Sequence, residues 1–165
     1  MKKFELTSEF NLNFFGRKFF RIKALVNIER YGVKAGDLGG WVEKEDNLSQ
    51  SGNAWVSGNA VVSGNAEVSG NAKVSGDAWV SGDAKVSGDA DYAVIKGFGT
   101  VYRPTTFFRC HDGEARVTCG CFYGTIDEFR EQVKRTRKGK VADEYLKIAD
   151  LMEYHFKKED SGENV

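Results

Sequence analysis

The chain has 165 residues and carries 24 Lys and Arg against 24 Asp and Glu, so its formal net charge is zero. That length suits one domain or one repeat body with small attachments, and the charge balance gives no bias toward a nucleic-acid duplex or a membrane surface. No apolar run approaches the ~20 residues that a membrane span needs, the first residues lack the apolar core of a signal peptide, and three cysteines give no disulfide framework; the expected setting is a reducing cytoplasm.

Residues 1–41 read as N-terminal strands and a capping segment. Strands are expected over 3–12, with Phe4, Leu6, Phe10 and Leu12 at even positions, and over 17–28, where Phe20, Ile22, Ala24, Val26 and Ile28 alternate with mostly polar neighbours. Phe14-Phe15-Gly16-Arg17 is the expected hairpin turn. The phenylalanines of 14–20 are assigned to covering the open end of the repeat body. Residues 31–49 lead in through glycines at 32, 36, 39 and 40. Val42 and Leu48 are placed in step with Ala54, Ala60 and Ala66.

Residues 42–91 carry a six-residue period. From Val56 to Asp91 it runs as Val-Ser-Gly-Asn-Ala-x or Val-Ser-Gly-Asp-Ala-x without error. Recurrent Val and Ala fill a narrow interior, and the Gly-Asn or Gly-Asp pair turns a corner. Three units make a turn of eighteen residues. Variable positions eighteen apart should then share a face: Glu43, Val61 and Trp79; Ser49, Glu67 and Lys85; Trp55, Lys73 and Asp91. The third column is expected to set Lys73 between the Trp55 ring and the Asp91 carboxylate. Two outward tryptophans on a short stack make Val61 and Trp79, with Trp55, the expected subunit interface; the competing reading packs them under flanking segments of the same chain.

Residues 92–158 read as a ββαα unit. Strands are expected over 92–110 and 114–122, joined by a turn at His111-Asp112-Gly113. A helix starts with Thr125 as cap and Glu128 reaching back to it, with Ile126, Phe129 and Val133 as its apolar stripe. A second helix spans 141–157, with Tyr145, Ile148, Met152 and Phe156 on one face. Residues 159–165 are expected to be a disordered tail.

Three groups of residues carry possible chemistry. Cys119-Gly-Cys121 with Cys110 and His111 lacks the spacing of a zinc ribbon or finger. Buried small cysteines are the expected reading, with no metal, no cofactor and no catalytic residue. Lys134, Arg135, Arg137 and Lys138 belong to a run of five cations in 134–140, read either as a solvated connector or as an anion site. Tyr102, Arg103, Phe108, Arg109, His111, Arg116 and Tyr123 mix aromatics with cations in the way a base-plus-phosphate ligand requires; packing is the alternative.

The repeat units resemble the hexapeptide pattern of left-handed β-helix proteins. This resemblance implies a mainly β fold, a left-handed parallel β-helix solenoid that forms a homotrimer. Enzymes of that family are acyltransferases using a histidine base in a subunit cleft; here 42–91 hold no histidine. Gly36-Asp-Leu-Gly-Gly-Trp-Val-Glu43, Asn47-Leu-Ser, the repeat, and Val117-Thr-Cys-Gly-Cys-Phe-Tyr-Gly-Thr-Ile-Asp-Glu-Phe129 resemble small phage and prophage hexapeptide-repeat proteins. That resemblance implies a phage-encoded protein of the host bacterial cytoplasm and no particular activity; a non-catalytic binding protein is the expected function. Its expected role is counter-defence, by sequestering a nucleotide-derived immune signal. The alternatives are an acyltransferase acting on a sugar or sugar nucleotide and an inhibitor binding a host defence protein; nucleic acid and membrane are not expected partners.

Overall fold

The computed structural model describes residues 1–13 and 16–157. The first two strands, β1 (Phe4–Leu12) and β2 (Lys18–Ala24), form an antiparallel hairpin whose register sets Phe10 opposite Phe20. Phe14 and Phe15, placed in its turn by the sequence, lie outside the described residues, as does the expected tail. The third strand, β3 (Leu38–Val42), runs antiparallel to β2. Six strands of two residues come next: β4 (Trp55–Val56), β5 (Val61–Val62), β6 (Glu67–Val68), β7 (Lys73–Val74), β8 (Trp79–Val80) and β9 (Lys85–Val86).

These strands pair in parallel at an eighteen-residue offset: Val56 with Val74, Val62 with Val80 and Val68 with Val86. The columns Val61–Trp79, Glu67–Lys85 and Trp55–Lys73 are therefore neighbours, as the spacing predicts. The valines of the units and the alanines from Ala54 to Ala84 point inward and are buried, while Ala90 of the last unit is exposed. The corner glycines Gly52, Gly58, Gly64, Gly70, Gly76 and Gly82 have φ from +61° to +71°, a region in which a Cβ would be strained. The offset also sets Asp77 over Asn59, so carboxylates do not stack on carboxylates: Asn59 hydrogen-bonds the Asp77 carboxylate, and Asn53 donates to Asn71 at 3.0 Å.

The architecture is nevertheless not the left-handed parallel β-helix that the repeat implied. The short strands are divided among a mixed five-stranded sheet, in the order β1-β2-β3-β5-β8, and two separate two-stranded parallel sheets, β4-β7 and β6-β9. With two-residue ladders and antiparallel pairing before and after them, the fold is mainly β with several small sheets and two C-terminal helices; no continuous solenoid forms. The lead-in is also out of the expected phase. Val42 pairs with Val62 and Leu48 bridges to Val68, so both take valine positions and not alanine positions. The extra two residues fall between Leu48 and Val56, where the Gln50 side chain accepts from the N–H groups of Lys3 and Phe4 and donates to the Phe4 carbonyl.

The expected ββαα unit has four strands. A single strand over 92–110 is ruled out by Gly97 and Gly99, which adopt φ of +103° and +81° and turn the chain back. The result is β10 (Tyr92–Ile95), β11 (Thr105–Arg109), β12 (Ala115–Cys119) and β13 (Phe122–Thr125), an antiparallel sheet in that order. The helix α1 (Ile126–Thr136) starts at the predicted box: Thr125 Oγ1 accepts from the Glu128 N–H at 3.0 Å, and Glu128 accepts from the Thr125 N–H at 2.9 Å. The helix α2 (Gly139–Phe156) buries Tyr145, Ile148, Met152 and Phe156, as its spacing predicts.

Candidate functional site

The C-terminal sheet closes the open edges that the repeat would otherwise leave. The Trp79 N–H donates to Thr106 Oγ1 at 3.0 Å, and the Thr118 hydroxyl donates to the Trp79 carbonyl at 2.7 Å. On β7, the Lys73 N–H donates to the Asp89 carboxylate, and the Tyr92 hydroxyl donates to the Lys73 carbonyl. Beyond β9, Ala84 bridges to Cys110, and the His111 N–H donates to the Asp83 carbonyl. Side chains stand in for the next strand and satisfy backbone groups that an exposed edge would leave unpaired.

This closure places the sheet between two cores and splits the predicted ligand cluster. Phe108 faces the repeat, is fully buried, and stacks against Tyr123 at 6.3 Å between ring centroids. The Tyr123 hydroxyl lies over Gly82, where a Cβ would have no room. Arg116 is held by Asp112 at 2.7 Å, and His111 Nε2 faces the Glu67 carboxylate at 3.3 Å. Arg109 belongs to the group that anchors α2: it meets Asp91 at 3.2 Å, donates to the Gly113 and Phe156 carbonyls, and lies over the Phe156 ring. Its guanidinium is thus engaged within the fold. Asp91 therefore pairs with Arg109 and not with Lys73, whose ammonium sits over the Tyr31 ring.

Among the described residues no cluster of three or more His, Cys, Asp or Glu is placed to hold a metal ion. Cys110 is buried, and that burial pushes its thiol up to about 11, so little thiolate is present at neutral pH. The Thr105 hydroxyl contacts Cys119 Sγ at 3.2 Å, and Cys121 is exposed at the neighbouring turn.

Tyr102 and Arg103 lie at the other end of the sheet, just before β11. Arg103 covers Gly120, and the backbone of Gly99 packs on the Tyr145 hydroxyl. Burial raises the Tyr145 hydroxyl above its ordinary value, while the charges of Arg137 and Arg103 act on the same oxygen in the opposite direction. Two arginines from separate predicted groups therefore act by their charge on one tyrosine. Beside them Tyr102 is 63% exposed and sits at φ +55°, a conformation that costs about 1–3 kcal/mol for a residue with a bulky side chain. Lys134 and Arg135 are exposed in the last turn of α1, not between the helices as expected, and Lys138 is exposed on the short connector. Lys134 reaches Glu131 at 3.7 Å, and Arg135 reaches Gln132. Cations after α1 also suit the negative end of its dipole.

A groove lies at the opposite end of the two helices, and of the predicted site residues only Arg116 lines it. It encloses about 860 Å³ between the β11–β12 turn, the start of α1 and the end of α2. Its acidic wall is Glu114, Asp127, Asp150 and Glu153. Arg130 binds the last three at once, at 2.7 Å to Asp127 and 2.8 Å to Asp150. The signal is present in the sequence as acidic residues on two helices, but only the antiparallel packing of α1 on α2 brings them together.

The expected interface residues divide as well. Trp55 is buried against Gly39, whose missing side chain leaves room for the ring; a Cβ there would stand 2.7 Å from it. Trp55 takes no part in any surface. Val61 is half-buried, and Trp79 is 40% exposed with its ring edge-on to Phe19 of the same chain. The Glu43 position is displaced from the Val61 column by the longer first offset.

No protein-family model matches the chain, and no curated protein matches it. The resemblance to hexapeptide-repeat phage proteins and acyltransferases is corrected on two grounds: the absent family match, and a fold of several small mixed and antiparallel sheets. Among the described residues no helix is long and apolar enough to cross a membrane.

Proposed function

We propose that the protein acts by binding rather than by catalysis, and that its ligand is small, anionic and ring-bearing, of nucleotide type. The observation that carries this reading is the exposed Tyr102, held at positive φ next to Arg103, with the charges of Arg103 and Arg137 both acting on Tyr145. Guanidinium groups keep their charge and match phosphate oxygens two at a time, and a tyrosine face stacks on a base. Strain retained at an exposed aromatic is typical of a residue that meets a ligand. A catalytic reading has less support: His111 is turned to Glu67, His155 to the Ala90 carbonyl, and the Cys110 thiol is poorly ionised. Three free cysteines fit a reducing cytoplasm as its compartment. Without a matching family, nothing ties the ligand to a phage or to a host immune system.

Titration calorimetry with ADP-ribose, a cyclic dinucleotide and ATP tests the proposal. At least one should bind, and Arg103→Ala and Arg137→Ala should each weaken it tenfold or more while leaving the melting temperature unchanged. Silence across all three ligands, or binding indifferent to both substitutions, would sink it.

A further inference from the structure

The α1–α2 pair is electrically polar along its length. At and beside the connector, Lys134, Arg135, Lys138 and Lys140 are exposed, and no ion pair involves Lys138 or Lys140 among the described residues. At the far end three carboxylates share the single Arg130 guanidinium, which leaves an excess of negative charge, and Glu114 stands on the rim with no ion pair among the described residues. Arg116 also lines the groove, but Asp112 engages it, and Lys157 adds one cation at the margin. Tyr154 lines the same groove and is 79% exposed, a ring on which a guanidinium can stack.

We propose that this groove receives the basic connector of a second copy of the chain. The chain supplies both halves of the contact, in matching number and opposite sign, on surfaces that cannot meet within one molecule because they lie at opposite ends of the same helices. The zero net charge means that two copies approach without overall repulsion. Donor and acceptor surfaces differ, so the contact is head-to-tail and either closes into a ring or propagates. Arg137 is half-buried, unlike its exposed neighbours, and is assigned to the ligand site, so association does not depend on the proposed ligand.

Sedimentation velocity of the full chain at low and high salt tests this. Association should grow with protein concentration at low salt and fall to the monomer at high salt, since exposed charges are screened within a Debye length of ~10 Å at 0.1 M. The connector variant Lys138→Glu/Lys140→Glu and the groove variant Glu114→Lys/Asp150→Lys should each be monomeric alone. Mixed together they should associate again, because each connector then faces a groove of opposite sign. Where loss of Asp150 from Arg130 unfolds the helices, as circular dichroism would report, Glu114→Lys alone retains the comparison. Arg103→Ala should leave association unchanged, which separates failure here from failure of the ligand reading. A monomer at every salt, an oligomer indifferent to both reversals, or capture of a basic peptide by a monomeric wild type would overturn the proposal.

Discussion

Phe107 and Phe108 are adjacent in sequence, both fully buried, and belong to different hydrophobic cores. Phe108 joins the valines and alanines of the repeat, while Phe107 meets Phe129 edge-on under the helices at 5.8 Å. Alternation along β11 is the cause, since successive side chains point to opposite faces of a strand. Each substitution to Ala should cost about 3–5 kcal/mol. Hydrogen exchange should separate them: Phe107→Ala should loosen α1 and α2 first, and Phe108→Ala should loosen the strands nearest the C-terminal sheet.

Thr106 and Thr118 serve as the missing neighbour of β8. Thr106→Val leaves the Trp79 N–H without its acceptor, and Thr118→Val leaves the Trp79 carbonyl without its donor. The volumes are nearly conserved, so the loss reports hydrogen bonding, about 1–3 kcal/mol for each. Urea unfolding of the two variants should show it; stabilities equal to wild type would refute a closing role.

Asn47 is fully buried and fully satisfied. Its Oδ1 accepts from the Glu43 and Lys44 N–H groups, and its Nδ2 donates to the Gly64 and Ala66 carbonyls. Asn47→Ala should lower stability by about 2–4 kcal/mol. Asn47→Asp should be worse than Asn47→Ala, because it sets a buried negative charge against the Gly64 and Ala66 carbonyl oxygens. Melting curves at neutral pH rank the pair.

Lys3 is buried, with its ammonium donating to the Ala54 carbonyl at 2.6 Å, and desolvation lowers it to about 8 from its ordinary 10.5. Between those values the unfolded chain holds the proton more than the folded one, so this group adds stability as pH rises from 8 to 10.5 and none of that gain is present below 8. The gain should be on the order of 3 kcal/mol. Lys3→Met should remove this rise; identical pH profiles for variant and wild type would count against a desolvated Lys3.

Arg109 has the residue type and position of a ligand-binding group, yet the structure spends its guanidinium on Asp91 and two carbonyls. The carboxylate of Asp91 is held below its ordinary value despite burial, by the N–H groups of Ser87 and Gly88 together with Arg109. Arg109→Met should destabilise by about 2–4 kcal/mol by leaving Asp91 short of its partner. Ligand affinity measured well below the melting temperature should be unchanged. A large affinity loss with full stability would return Arg109 to the ligand site.

The mainly β class, the eighteen-residue offset, the inward valines and alanines, the glycine corners and the capped start of α1 were all legible in the chain. They depend on local conformational preference and on period, which a sequence states directly. The phase of the lead-in, the division into small sheets, the buried Trp55 and the fourth strand of the C-terminal sheet were not legible. Each depends on which distant segment supplies a hydrogen bond or a covering side chain: Gln50 on Lys3, Gly39 on Trp55, Thr106 on Trp79. The candidate site divides in the same way. Cations and aromatics were visible as residue types, but only tertiary packing locked Arg109 and Arg116 onto carboxylates and gathered four acids at the far end of two helices. Charge and ring are properties of a residue; whether they remain free to meet a ligand is decided by the neighbours that the fold provides.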